Sequence, residues 1–177
     1  MNKAKTFFNN YATEFNEIYG TNNSLINNIL NPILRKSMRL RFENTIMYCQ
    51  PIQGKTALDI GCGPDHYSVA LAKNGADKVV GLDFSNEMIK IAKTKASLAT
   101  VSEKCYFIEQ DIFNYTADHK FSYCVIMGVM DYISNPEEMI LKVLSLTQEK
   151  AFFSFPSSGG LLAFQRKVRY RNRCPLF

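Results

Sequence analysis

The sequence predicts a three-layer α/β sandwich on a mostly parallel central sheet, preceded by a helical extension. Three observations carry this. From residue 54 onward, short apolar or β-branched runs alternate with helical stretches, the order that yields parallel strands and right-handed crossovers. The run Phe121 to Met127 is apolar at nearly every position, as a strand covered on both faces requires. A glycine-rich turn, Gly61-Cys62-Gly63, stands where the first strand meets the first following helix.

The elements follow in order. Residues 1–53 read as helical, with Leu25, Ile29, Ile33, Leu40, Ile46 and Met47 recurring along Ser24 to Tyr48. Asn31-Pro32 reads as a break or a helix start. Gly54-Lys55 turns into the first strand, Thr56 to Ile60. Tyr67 to Asn74 is the next helix, and Gly75 suits its C-terminal stop. Lys78 to Leu82 is a short strand closed by Asp83, and Asn86 to Ala99 a helix with Ser85 as its N-cap. Cys105–Glu109 and Phe121 to Met127 are the third and fourth strands. Pro136–Leu146 is a helix whose first turn carries Glu137 and Glu138, favourable at the positive end of the macrodipole. Ala151–Phe155 is the fifth strand, and Leu161 to Tyr170 a last amphipathic helix.

Composition narrows the function classes. At 177 residues the chain suits one domain. Its longest apolar run, Cys124 to Met130, is too short to span a bilayer. Five cysteines without a CxxC pair argue against a disulfide framework or a zinc module, and no metal site is expected. A reducing cytoplasm is the simplest home. The net charge of +5 is local: Arg166, Lys167, Arg169, Arg171 and Arg173 account for all of it, leaving 16 cations against 16 acids in the first 165 residues. A formally neutral body lacks the broad basic footprint of a nucleic-acid binder. The 166–173 segment reads as a solvated helix face, or else as a patch for an anion or a membrane surface.

The chemistry gathers at the ends of the first two strands. A glycine turn lets backbone approach a ligand, and a helix N-terminus points N–H groups into the same gap. Asp83 lies 22 residues after Gly61, where a carboxylate can accept from ribose hydroxyls. A nucleoside cofactor follows. A dinucleotide fits poorly, because His66 stands where a third glycine is wanted and Asp59 precedes the turn. A carboxylate there repels a pyrophosphate and suits an ammonium or a sulfonium.

Asp59-Ile60-Gly61-Cys62-Gly63, then Gly81 to Ile89, Gln110-Asp111-Ile112 and Phe121 to Ile133 together resemble the ordered motifs of class I S-adenosylmethionine-dependent methyltransferases of small-molecule type. The resemblance covers roughly residues 38–156 and implies a Rossmann-like fold and S-adenosylmethionine as cofactor. It implies that Asp59, Gly61, Cys62 and Gly63 wrap the methionine part, that Asp83 takes the ribose, and that Phe84 and Met88 flank the adenine. It further implies Asp111 and Ile112 at the adenine amino group, and Met127 and Gly128 on the methionine side. Arg41, 18 residues before Asp59, matches an arginine that holds the cofactor carboxylate in some members. Met88 also reads as core, Asp111 as a simple cap, and Cys62 as packing.

The reaction implied is in-line transfer of a methyl group to a small-molecule acceptor. Asp131, Tyr132 and His66 are the candidates for a base, and Asp131 stands where related enzymes often carry histidine. Asp65 replaces the family's third glycine, a position that often needs φ > 0, and puts a second carboxylate near the pocket. Phe7, Phe8, Tyr11, Phe15 and Tyr19 suit a lid, so residues 1–53 divide as a lid or substrate region from the cofactor-binding 54–177. The Asn/Asp-Pro-Pro-Tyr motif of amino-group methyltransferases is absent after the fourth strand, which argues against nucleic-acid substrates.

The family sheet normally has seven strands, and the sixth and seventh are not found here. The expectation is a C-terminally truncated unit whose fifth strand is an open edge, prone to pairing with a second copy as a homodimer. The alternative function is then a catalytically silent domain that binds cofactor or pairs through that edge. A nicotinamide-dependent oxidoreductase comes third, disfavoured by Asp59 and His66.

Overall fold

The computed structural model describes residues 25–155, with side chains from Lys36 onward. The elements are α1 (Leu25–Tyr48), β1 (Thr56–Ile60), α2 (Tyr67–Lys73), β2 (Lys78–Asp83), α3 (Asn86–Leu98), β3 (Cys105–Glu109), β4 (Phe121–Ile126), α4 (Pro136–Leu146) and β5 (Thr147–Phe153). The strands form one sheet in the order β3-β2-β1-β4-β5, and every pair is parallel. The expected lid aromatics before residue 25, the last helix and the 166–173 basic segment lie outside the described residues.

Alternate residues of β1 feed two separate cores. Ala57 joins Val79, Phe107, Tyr123 and Val125 on one face, covered by Cys49 of the chain after α1, Leu71 and Ala72 of α2, and Ile89, Ala92 and Ala96 of α3. Leu58 and Ile60 join Val80, Leu82, Cys124 and Ile126 on the other, covered by Met139, Val143 and Leu146 of α4. β4 is buried at all six positions, as its apolar run requires. The three layers are thus the sheet, α1 to α3 on one side, and α4 on the other. The end of α1 belongs to this body: Ile46 packs on the first core and the Phe42 ring meets the Tyr67 ring at 5.2 Å.

Two expectations are corrected. Helix α1 runs unbroken through Pro32; the proline forfeits one hydrogen bond to the carbonyl four residues back, and the four turns that follow sustain the helix. Strand β5 begins at Thr147, not Ala151. The polar run Gln148-Glu149-Lys150 looks like a loop in sequence. Two of its side chains nevertheless find partners along the sheet edge. Glu149 pairs with Lys55, and Lys150 Nζ donates to the Tyr48 carbonyl at 2.9 Å while lying 5.8 Å from the Tyr123 ring centre. Thr147 both caps α4 and opens the strand, its hydroxyl donating to the Val143 carbonyl at 2.7 Å.

The Ser85 cap forms as the sequence predicts, and the structure adds a cap at Asn135. Ser85 Oγ accepts from Met88 N at 3.3 Å, and Asn135 Oδ1 from Glu138 N at 3.3 Å with Pro136 at the first helical turn. Each cap satisfies a donor that an isolated helix leaves open.

Candidate functional site

The strand order reverses between β1 and β4, so the loops after these two strands stand side by side at the carboxyl edge. That is where open parallel sheets bind ligands. The loops touch. Gly61 has φ +66, and a Cβ added to it would lie 2.3 Å from Val129 Cγ2, so only glycine lets the two segments approach this closely. The turn is also tied to the end of β2: Cys62 N donates to the Leu82 carbonyl at 2.9 Å.

Asp83 joins two loops through one carboxylate. Its Oδ2 accepts from Gly63 N at 3.0 Å and its Oδ1 from Ser85 N at 2.8 Å. Each oxygen of an ionised carboxylate has a further lone pair, so acceptor capacity remains after the backbone bonds. Burial pushes the carboxyl upward, against the pull of the bonds from Ser85, Gly63 and Phe84.

The N-terminus of α2 is not open to a ligand, contrary to the sequence reading. Asp59 Oδ2 accepts from Ser68 N at 3.1 Å and from Ser68 Oγ at 2.8 Å, and Asp65 Oδ1 accepts from Val69 N at 3.2 Å. Two carboxylates thus occupy donors that a phosphate would use, and their charge opposes a second anion there. Asp65 takes φ +60, as its place at a glycine position demands. It is only 2% exposed, so its carboxylate is folded onto α2 instead of opening to the pocket. Asp65 Oδ2 is buried without a hydrogen-bond partner.

These groups titrate abnormally. Burial, then the charge of Asp65, pushes Asp59 up to about 7, against the bonds from Ser68. Burial pushes Asp65 up to about 6. Burial, with Lys95 of α3 adding to it, lowers His66 to about 4. A raised carboxyl favours folding at acid pH and loses that contribution as pH climbs through its folded value. The depressed imidazole acts oppositely, its contribution being lost as pH falls below the ordinary histidine range. The three raised carboxyls, Asp83 included, outweigh the one depressed imidazole. Thermal melts should therefore show stability falling as pH rises from about 5 to about 7, and Asp59→Asn should flatten the slope. A flat profile for the unsubstituted chain would refute this balance.

The other sequence candidates take definite places. Gly63 (φ +54) and Gly128 (φ +76) both face open space, with nothing within 4 Å of an added Cβ. Phe84, next to Asp83, and Met127, next to Gly128, are half-buried. Ile112 is buried, and Asp111 caps the short turn Ile112–Asn114 by accepting from Phe113 N at 3.0 Å while remaining exposed. Met88 is 1% exposed, which favours its reading as core. Cys62 is buried, and burial followed by the charge of Asp59 holds its thiol well above the ordinary value; such a thiol is no nucleophile. Asp131 and Tyr132 share the single turn Met130–Tyr132 after β4, both half-buried. His66 sits at the N-cap of α2, and an imidazole titrating near 4 is a weak base at neutral pH.

Arg41 reaches this edge from α1. Its Nη1 donates to Ser154 Oγ at 3.2 Å, its Nε is buried without a partner, and no carboxylate pairs with it among the described residues. Three participants escaped the sequence reading: Ser68 under Asp59, Val129 against Gly61, and Ser154 beside Arg41. Only Ser68, in the first turn of a helix, carried a local signal.

Comparison with known proteins gives this edge its family. The family model of the methyltransferase domain matches residues 52–171. The chain belongs to this methyltransferase family. The methyltransferase domain is 35% identical to the ubiquinone biosynthesis O-methyltransferase of Coxiella burnetii, over 58% of this chain and 44% of that protein. It is 32% identical to the enzyme of the same name from Actinobacillus pleuropneumoniae, over 58% of this chain and 45% of that one. The chain thus spans less than half the length of the curated relatives it matches. Among solved structures, magnesium protoporphyrin IX methyltransferase from Synechocystis, with bound S-adenosylhomocysteine, superposes with a TM-score of 0.78 at 21% identity, covering 94% of this chain and 76% of that one. The methyltransferase domain therefore has the Rossmann-like fold of class I methyltransferases. No helix among the described residues is long and apolar enough to cross a membrane.

Proposed function

We propose that this chain binds S-adenosylmethionine and transfers its methyl group to a small-molecule acceptor. The observation that carries the reading is the charge at the carboxyl edge. The helix N-terminus that would hold a pyrophosphate is closed by Asp59 and Asp65, while Asp83 keeps acceptor capacity at the end of β2. That combination suits a nucleoside with a cationic tail and disfavours a dinucleotide. The residues also suit its amino-acid end: Arg41 is a partly buried guanidinium with no carboxylate paired to it among the described residues, fit for a charge-assisted bond to a carboxylate.

When bound, the cofactor supplies a methyl group already activated on sulfonium. The chain's own work is then to align reactants and exclude water. Asp83 accepts from the ribose hydroxyls, Gly63 and Gly128 leave the space that the ligand occupies, and Phe84, Ile112 and Asp111 border the adenine. Asp131 and Tyr132, on the turn after β4, face the acceptor and are the candidates for a base. Residues 1–53 serve as a lid or acceptor-binding region, and the 166–173 basic segment as a contact for an anionic or lipid-like surface. The four described cysteines are free and buried, which supports a reducing, cytoplasmic setting.

Calorimetric titration with S-adenosylmethionine, S-adenosylhomocysteine and NADH tests the reading. Micromolar binding of the first two and none of NADH is the expected result. No binding by a folded chain, or preference for NADH, would overturn it. Release of S-adenosylhomocysteine with any acceptor in a screen separates an enzyme from a silent binding domain.

A further inference from the structure

We propose that Ser154 is a positioning residue that fixes the corner where the cofactor carboxylate binds, a step that rests on the cofactor reading above. Ser154 directly follows β5, and its N–H donates to the Ile126 carbonyl at 3.1 Å, extending the parallel ladder one residue past the strand. That bond places the hydroxyl level with the loop leaving β4. Its Oγ accepts from Gly128 N at 2.8 Å and from Arg41 Nη1 at 3.2 Å. One oxygen therefore joins α1, the loop after β4 and the end of β5.

The chemistry of that oxygen matters. A buried guanidinium is usually matched by a carboxylate, which cancels its charge. Arg41 is held instead by neutral hydroxyls, that of Ser154 with Tyr67 as a further side-chain partner, and its buried Nε–H has no partner. Its charge and part of its donor fork stay available, and the fork suits a carboxylate. Gly128, which faces open space at φ +76, is anchored through its N–H to the same hydroxyl. Ser154 thus orients the cation and shapes the adjacent turn without neutralising either. Serine here selects for an amino-acid carboxylate, and has no bearing on the nucleoside end near Asp83.

The test compares two ligands on the full chain. S-adenosylhomocysteine carries the carboxylate; 5′-methylthioadenosine keeps the nucleoside and thioether but lacks it. In Ser154→Ala, affinity for S-adenosylhomocysteine should fall about tenfold, the scale of one hydrogen bond to a charged group. Affinity for 5′-methylthioadenosine should stay within about twofold, which also reports a folded site. Ser154→Thr keeps the oxygen and should recover most of the loss. In an Arg41→Ala background, Ser154→Ala should add little, since the two act as one unit. Equal loss for both ligands, no loss for either, or full additivity with Arg41→Ala would overturn the proposal. An unsubstituted chain that binds neither ligand would overturn the cofactor reading itself, and this proposal with it.

Discussion

Asp83→Asn is expected to weaken S-adenosylhomocysteine binding by about a hundredfold or more while leaving the chain folded. The carboxylate is asked to accept from two ribose hydroxyls, and hydrogen bonds to a charged group are worth about 1.5–3 kcal/mol each. An amide offers one acceptor oxygen, already claimed by either Gly63 N or Ser85 N, the two backbone donors that now share the carboxylate. Folding is affected in two opposing ways. One backbone N–H loses its acceptor, at about 1–3 kcal/mol, but a buried charge that burial itself disfavours is removed. Calorimetry and a thermal melt on the same sample separate the two effects. Unchanged affinity in a folded variant would remove Asp83 from the site.

The two glycines of the turn should respond differently to alanine. Gly61→Ala combines φ +66 with a methyl 2.3 Å from Val129 Cγ2. The left-handed conformation costs about 1–2 kcal/mol and overpacking about 1–3 kcal/mol. The melting temperature should fall by about 10 °C for a domain of this size. Val129→Ala added to it should restore part of the loss. Gly63→Ala meets nothing within 4 Å at φ +54, so its melting temperature should drop by only a few degrees, about 1 kcal/mol in stability. Its methyl would nonetheless occupy the space proposed for the cofactor, and binding should be lost. A Gly63→Ala chain that binds normally would place the ligand elsewhere.

Most of the scaffold was legible because its signals are local. The β1 turn, the Ser85 cap and the fully apolar β4 each declare themselves within a few residues. The start of β5 did not, because Glu149 and Lys150 satisfy a strand only through Lys55 and the Tyr48 carbonyl, far off in sequence. The candidate site divides the same way. Asp65 was readable as a glycine substitute that tolerates φ > 0, and it does adopt φ +60. What Asp59 and Asp65 actually bind was not, since a motif shows which residues recur and not which way a carboxylate turns. The Ser154 hydroxyl was invisible for the plainest reason: Arg41 lies 113 residues away.

The strand order also bears on how the molecule is put together. β1, β2 and β3 are neighbours in both chain and sheet, whereas the chain leaving β3 passes β2 and β1 before β4 aligns Tyr123 with Ala57. The sheet is thus two locally connected halves, β1 to β3 and β4 to β5, joined by one long-range pairing whose loop closure costs more entropy. The candidate site lies on the seam: Gly61, Gly63 and Asp83 come from the first half, and Gly128, Val129 and Ser154 from the second. A nucleoside lying across that seam acts as a rivet between the halves, adding about 2.7 kcal/mol at a hundredfold excess over its Kd. Occupancy would then add its stabilisation at the one junction that the chain closes over the longest range.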